Sequence, residues 1–190
     1  PASGAVRVRL LAAALNRLDL WTVGGLPGVT ITPPWVFGAD GMGIVAEVSA
    51  DVTTFEIGDR VLLNPGLSCR ACEFCHRGEE NLCAQARYTG YQIDGGFAGY
   101  CVADARYCFA IDPHLDSVQA APLLCAGLIG YRSWRPARSA RRVGFYGFGA
   151  AAHILVQIAC HHGQQVYAFT RPADVAAQEF ARRLGAAWAG

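Results

Sequence analysis

Apolar and polar side chains alternate along Val6-Arg7-Val8-Arg9-Leu10, the two-residue period of a strand with one buried face. Short strand-like runs recur over Ala5 to Ala14, Gly43 to Val48, Arg60 to Leu63, Phe97 to Ala103 and Arg106 to Ile111, divided by Gly, Pro and Asp. They predict a mostly antiparallel β domain from Ala5 to about Ile111, with a short helix over Asn16 to Val23. From Ser117 to Trp134 small and branched residues run at helical length, and Pro122 suits the first turn of a helix beginning there. After Pro136 the period changes. Arg142 to Tyr146 reads as a buried strand, Ala150 to His162 as a helix, Gln165 to Phe169 as a strand and Ala173 to Leu184 as a helix. That βαβα order predicts a parallel sheet, so the fold class is α/β with a mostly antiparallel β domain in front.

Composition narrows this little. The 190 residues are 53% hydrophobic with a formal charge of +1, an ordinary globular balance. The densest basic group, Arg132, Arg135, Arg138, Arg141 and Arg142, reads as a solvated linker surface, and no nucleic-acid partner is expected. The longest apolar stretch, Val143 to Cys160, is interrupted by Gly144, Gly147, Gly149, His153 and Gln157, which excludes a membrane span there. The start, Pro1-Ala2-Ser3-Gly4, lacks the pattern of a secretory signal, and a cytoplasmic location is expected.

The chemistry concentrates in Cys69, Cys72, Cys75 and Cys83, spaced C-x2-C-x2-C-x7-C within fifteen residues. This spacing lets four thiolates converge on one tetrahedral zinc. The residues between them are largely polar, so ligation rather than apolar burial is expected to hold the lobe, about 66–86, together. Four cysteines close the coordination sphere and make this one structural zinc per chain rather than a catalytic one; a disulfide cluster is the alternative in an oxidising compartment.

Between the first strand and helix of the βαβα region lies Gly147-Phe148-Gly149-Ala150-Ala151-Ala152, matching G-x-G-x-x-G/A. Gly147, Phe148, Gly149, Ala150 and Ala152 are therefore candidate cofactor contacts, where backbone amides meet a pyrophosphate at a helix N-terminus. At the end of the second strand, where an acidic residue would hold a ribose 2′-hydroxyl, stand Thr170 and Arg171. A hydroxyl and a guanidinium suit a 2′-phosphate, which predicts NADP(H) over NAD(H).

The chain resembles the zinc-containing medium-chain alcohol dehydrogenase family across essentially its whole length. The resemblance rests on Asp59-Arg60-Val61, on Gly66 through Cys83, on Gly95-Gly96-Phe97-Ala98, on Ala121 through Gly127 and on Tyr146 through Gly149. It implies a GroES-like catalytic domain over 1–134 and the N-terminal part of a Rossmann domain over 135–190, with a small alcohol or carbonyl substrate between them. In the complete protein a homo-oligomer is compatible with this family.

The family holds its catalytic zinc with a Cys, a His and a Cys at positions that here read Asn16, Ala39 and Cys125, with Asp40 beside Ala39 and Leu18 where a hydroxyl usually relays the proton. One thiolate and one carboxylate are too few for tight zinc, and Asn is a poor ligand for it. No ordinary Lewis-acid site is expected. Asp40 reads as support for a local hydrogen-bond network, with a weak metal or an oriented water on Asp40 and Asp19 as the alternative, and Cys125 reads as a small buried hydrophobe. Hydride chemistry without a metal is easiest on a conjugated carbonyl, and Tyr88, Tyr91 or His114 could supply a proton. His153 reads as a surface or cofactor-proximal residue, and His161-His162 suit a helix C-terminus. Since about half of a doubly wound sheet is present, these 190 residues alone are expected to bind NADP(H) weakly or not at all and not to turn over. A non-catalytic zinc-stabilised scaffold binding a nucleotide or a protein partner is the alternative function.

Overall fold

Val6 and Val8 are fully buried while Arg7 and Arg9 stay in contact with solvent, and the alternation becomes strand β1, Ala5–Ala12. The computed structural model describes residues 1–26 and 30–190 and divides into two units, Pro1–Cys125 and Ala126–Gly190. In the first unit β1 is followed by α1 (Arg17–Gly24), β2 (Gly41–Val48), β3 (Arg60–Leu63), β4 (Gly66–Leu67), α2 (Glu73–His76), β5 (Arg87–Tyr88), β6 (Tyr100–Asp104), β7 (Cys108–Ala110) and α3 (Ser117–Ala120). A five-stranded antiparallel sheet has the order β6-β1-β2-β3-β7.

This sheet is covered on both faces. Val6, Val8, Val45, Val61 and Leu63 pack with Cys101 and Cys108 on one side. Met42 and Leu62 pack with Ala120 and Ala121 on the other. Successive residues of β3 thus enter different cores, which is why Val61 to Leu63 is a continuous apolar run instead of an alternating one. Arg60 itself steers the chain beyond β7: its Nη2 donates to Leu115 O at 2.8 Å and to Ser117 Oγ at 3.1 Å. That fixes the approach to α3.

Three local expectations shift. The strand expected from Phe97 begins at Tyr100, because the amides of Gly95, Gly96 and Phe97 donate instead to the carbonyls of Val36, Gly38 and Phe37. The strand expected from Arg106 is shortened to Cys108–Ala110 by a 3-10 turn over Ala105–Tyr107, whose cap is Asp104 accepting from Arg106 N at 3.0 Å. The stretch Ser117 to Trp134 is not one helix. It runs through α3, a 3-10 turn over Ala121–Leu124 with Pro122 in its first turn, a break at Cys125 (φ −104°, ψ −82°), and then α4 (Ala126–Trp134). Pro122 has no N–H to continue the preceding ladder. The two units meet at this break, at Cys125 and Ala126, whereas the sequence suggests a division after Trp134. Trp134 belongs to the second core, which moves α4 with it.

The second unit comprises α4 (Ala126–Trp134), β8 (Arg142–Tyr146), α5 (Ala150–His161), β9 (Gln165–Phe169), α6 (Val175–Arg183) and β10 (Trp188–Ala189). Its three strands are parallel in the order β10-β9-β8. The core joins Val156 and Ala159 of α5 to Val166 and Ala168 of β9, Ala181 of α6 and Trp134. One polar residue is buried beside it. Gln164 accepts from Trp134 Nε1 at 2.6 Å and donates to the carbonyls of Ala137 and Ala140 at 2.8 and 2.7 Å, so the connection from α4 to β8 is tied to the end of α5.

Candidate functional site

The cysteine lobe has no apolar core of its own: among the described residues, none of the three apolar clusters draws on positions 66–86. Its order comes from backbone turns and from the sulfurs. Arg70 takes a left-handed φ of 57° between Cys69 and Cys72, a conformation that an L residue adopts at a cost. The turn brings the four Sγ atoms within 4.8 Å of one another, with Cys72–Cys75 at 3.5 Å and Cys69–Cys75 at 3.9 Å. Four sulfurs around a zinc at ~2.3 Å stand about 3.8 Å apart, so the cluster fits a tetrahedral thiolate site. Backbone amides support thiolates there: Cys69 N donates to Cys83 Sγ at 3.4 Å and Ala71 N to Cys69 Sγ at 3.5 Å. The Ala71 amide pulls the Cys69 thiol down to about 6. The lobe is moored to the β domain by Tyr107, whose hydroxyl donates to Ser68 O at 3.0 Å and accepts from Ser68 N at 3.1 Å.

In the second unit the glycine loop sits between β8 and α5. Gly147 has φ 89°, which favours glycine, and a Cβ at Gly149 would meet open space. Gly149 is the N-cap of α5 and offers no side-chain cap, which leaves the first-turn amides for an anion. His153 packs on the glycine loop: its Nε2 lies 3.1 Å from Phe148 O, and its ring packs against Phe148 and Phe180 at centroid distances of 4.8 Å. At the end of β9, Gln178 Nε2 donates to Thr170 Oγ1 at 3.1 Å and to Arg171 O at 3.3 Å. The exposed Arg171 guanidinium has no carboxylate partner among the described residues.

The third cluster joins residues far apart in sequence. Asn16 caps α1, its Oδ1 accepting from Leu18 N at 3.0 Å while its own N–H donates to Asp19 Oδ2 at 2.8 Å. Its Nδ2 donates to Asp40 Oδ2 at 3.0 Å and to Cys125 Sγ at 3.0 Å. Asp40 is 2% exposed, and its Oδ1 has no partner among the described residues. Burial pushes its carboxyl up to about 6, against the Asn16 hydrogen bond that lowers it. Burial also raises the Cys125 thiol. Cys125 is therefore a hydrogen-bonded, half-buried group, not the small buried hydrophobe that the sequence suggests. Ala39 is buried beside Asp40 and offers no ligand atom. Gly96 seats this turn, since a Cβ there would come within 2.8 Å of Asp40 O.

An antiparallel β unit bearing a four-cysteine lobe, followed by a glycine loop in a parallel βαβ unit, matches one family. The Alcohol dehydrogenase GroES-like domain covers residues 2–113, more than half of the chain. This chain belongs to the zinc-type alcohol dehydrogenase family. An alcohol dehydrogenase of Geobacillus stearothermophilus is 38% identical over 169 residues, covering 87% of this chain and 50% of that enzyme. One from Moraxella sp. is 34% identical over 189 residues, covering 98% and 55%. Among solved structures, an NAD-dependent alcohol dehydrogenase superposes with a TM-score of 0.87 at 32% identity over 100% of this chain and 56% of that one. CAD from Helicobacter pylori, complexed with NADP(H), gives 0.85 at 25% identity, covering 98% and 56%. The chain spans about half the length of the curated relatives it matches.

The first unit is thus a GroES-like domain of the zinc-type alcohol dehydrogenase family and the second carries a Rossmann-type parallel sheet. For a second zinc, the family's catalytic one, the residues present do not fit. Asp40 and Cys125 are the two available ligand side chains among Asn16, Ala39, Asp40 and Cys125, and both already accept hydrogen bonds from one carboxamide. Tyr88 lies in β5 with Tyr91 at a ring distance of 6.4 Å, and His114 lies in an exposed turn where its N–H donates to Asp112 Oδ1. Among the described residues, no helix is long and apolar enough to cross a membrane.

Proposed function

We propose that the protein is an NADP(H)-dependent oxidoreductase of the alcohol dehydrogenase family, acting between the nicotinamide and an alcohol, aldehyde or conjugated carbonyl, and stabilised by one zinc on Cys69, Cys72, Cys75 and Cys83. The observation that carries the cofactor reading is an uncapped, glycine-led α5 N-terminus together with an exposed Arg171 guanidinium after β9 that has no carboxylate partner among the described residues. Charge supports it: Ala126–Gly190 carries eight Arg and two acidic residues, Asp174 and Glu179, whereas Pro1–Cys125 carries eight Arg and thirteen acidic residues. A field of that sign favours a cofactor with an additional phosphate.

When bound, NADP(H) supplies or accepts the hydride. The amides following Gly149 hold its pyrophosphate, Arg171 and Thr170 meet the 2′-phosphate, and His153 keeps the Phe148 carbonyl from swinging into the loop. The zinc on the four thiolates holds the lobe and takes no part in the chemistry. The sites at Asn16 and Asp40 favour a conjugated carbonyl acceptor, which carries its own developing charge without a Lewis acid. A cytoplasmic location and a homo-oligomeric holoenzyme are part of the same reading.

Titration of the full-length protein with NADPH and NADH tests this. Tighter binding of NADPH is expected, and equal affinity for the two would refute the NADP(H) assignment. The altered Asn16 and Ala39 positions favour a second reading, a zinc-stabilised scaffold that binds nucleotide without turnover; NADPH binding with no oxidation on any conjugated carbonyl would select it.

A further inference from the structure

Two groups that commonly bind cations, a carboxyl and a thiol, approach one nitrogen from chain positions 24 and 109 residues away. That nitrogen is Asn16 Nδ2, and its two protons match its two acceptors, Asp40 Oδ2 and Cys125 Sγ, each at 3.0 Å. The orientation of the amide is set from the opposite side. Leu18 N can only donate, so the atom 3.0 Å from it must be the carboxamide oxygen, and Nδ2 must face the carboxyl and the sulfur. Asn16 is itself held at the α1 N-terminus by the Asp19 carboxylate. The carboxamide is thus fully used, with no freedom to turn aside.

We infer that the Asn16 carboxamide is a non-metal centre for this site, joining Asp40 to Cys125 in place of an ion, so that the protein binds metal at the four-cysteine cluster alone. The inference does not depend on which cofactor the protein uses. A neutral amide ties three separate segments together as a metal would: the N-terminus of α1, the turn before β2 and the break before α4. It does not balance a carboxylate charge as a dication does. The amide therefore leaves an Asp40 carboxylate less stabilised than a dication would, consistent with its burial and with an Oδ1 that has no partner among the described residues. Restoring a metal would need the amide removed and an imidazole added at Ala39, which lies beside Asp40 with no ligand atom.

Metal stoichiometry tests this directly. The wild-type protein, reconstituted with zinc or with Co(II) and freed of loose ions, is expected to hold one ion per chain, and Cys125→Ser and Asp40→Asn are expected to leave that count at one. Replacing both positions, Asn16→Cys with Ala39→His, is expected to raise it to two, with a second equivalent of Co(II) appearing in the thiolate charge-transfer band. Two ions in the wild type, falling to one in Cys125→Ser, would overturn the inference. So would a folded double variant, judged by near-UV circular dichroism, that still held one.

Discussion

Asn16 reaches Asp40 through one hydrogen bond of 3.0 Å, and the second carboxyl oxygen of Asp40 is buried without a partner among the described residues. This geometry makes the ionised carboxylate the disfavoured form. The carboxyl is pushed up to about 6 from an ordinary value of 3.8. Between those two values the folded protein holds a proton that the unfolded chain has released, so stability falls as pH rises from about 4 to about 6 and is flat above. The shift corresponds to a loss of about 3 kcal/mol across that window. Urea unfolding of wild type and Asp40→Asn at pH 4.5 and 7.5 should show the variant gaining on the wild type at the higher pH. Parallel changes in the two would refute the prediction, and because zinc release at low pH affects both proteins, the comparison isolates Asp40.

Gln164 carries three hydrogen bonds in one buried place, to Trp134 Nε1 and to two carbonyls. Gln164→Leu strips all three while keeping similar volume, which should cost about 2–4 kcal/mol. Trp134 is buried and in contact with this side chain, so its fluorescence during denaturation reads the loss. A change below 1 kcal/mol would mean that water replaces Gln164 at no cost.

The lobe should depend on metal in a local way. Cys72→Ser, or a chelator, should take zinc from one per chain to none and open the 66–86 segment to trypsin at Arg70 and Arg77, while β1, β2 and β6 keep their amide protection. Tyr107→Phe removes the mooring at Ser68 and should speed zinc loss to a chelator without lowering the initial count. Zinc held with unchanged kinetics in Tyr107→Phe would contradict the mooring role.

Arg171→Asp in the full-length protein should reverse cofactor preference. A carboxylate after β9 repels a 2′-phosphate and accepts from a 2′-hydroxyl, so NADPH affinity should fall by on the order of 100-fold while NADH affinity holds or rises. Unchanged NADPH affinity would place the phosphate elsewhere.

Much of this was legible because it is local. The x2-x2-x7 cysteine spacing requires convergence whatever surrounds it, and the four sulfurs do lie within 4.8 Å. The strand, glycine turn and helix at Arg142 to His161 follow from period and backbone freedom. The helix from Ser117 to Trp134 was not legible as three pieces, since its break depends on which core claims Trp134 and on where Pro122 ends a ladder.

Sequence alone shows Asn16 and Ala39, which offer no thiolate or imidazole, at the positions where the family resemblance implies zinc ligands. Tertiary structure decided what fills that place. Hydrogen bonds across 24 and 109 residues depend on the Gly95–Phe97 segment seating the Asp40 turn, on Arg60 steering the chain into α3, and on the break that exposes Cys125 to Asn16. A directional bond needs its two atoms placed to within a few tenths of an ångström, and only the packed fold supplies that.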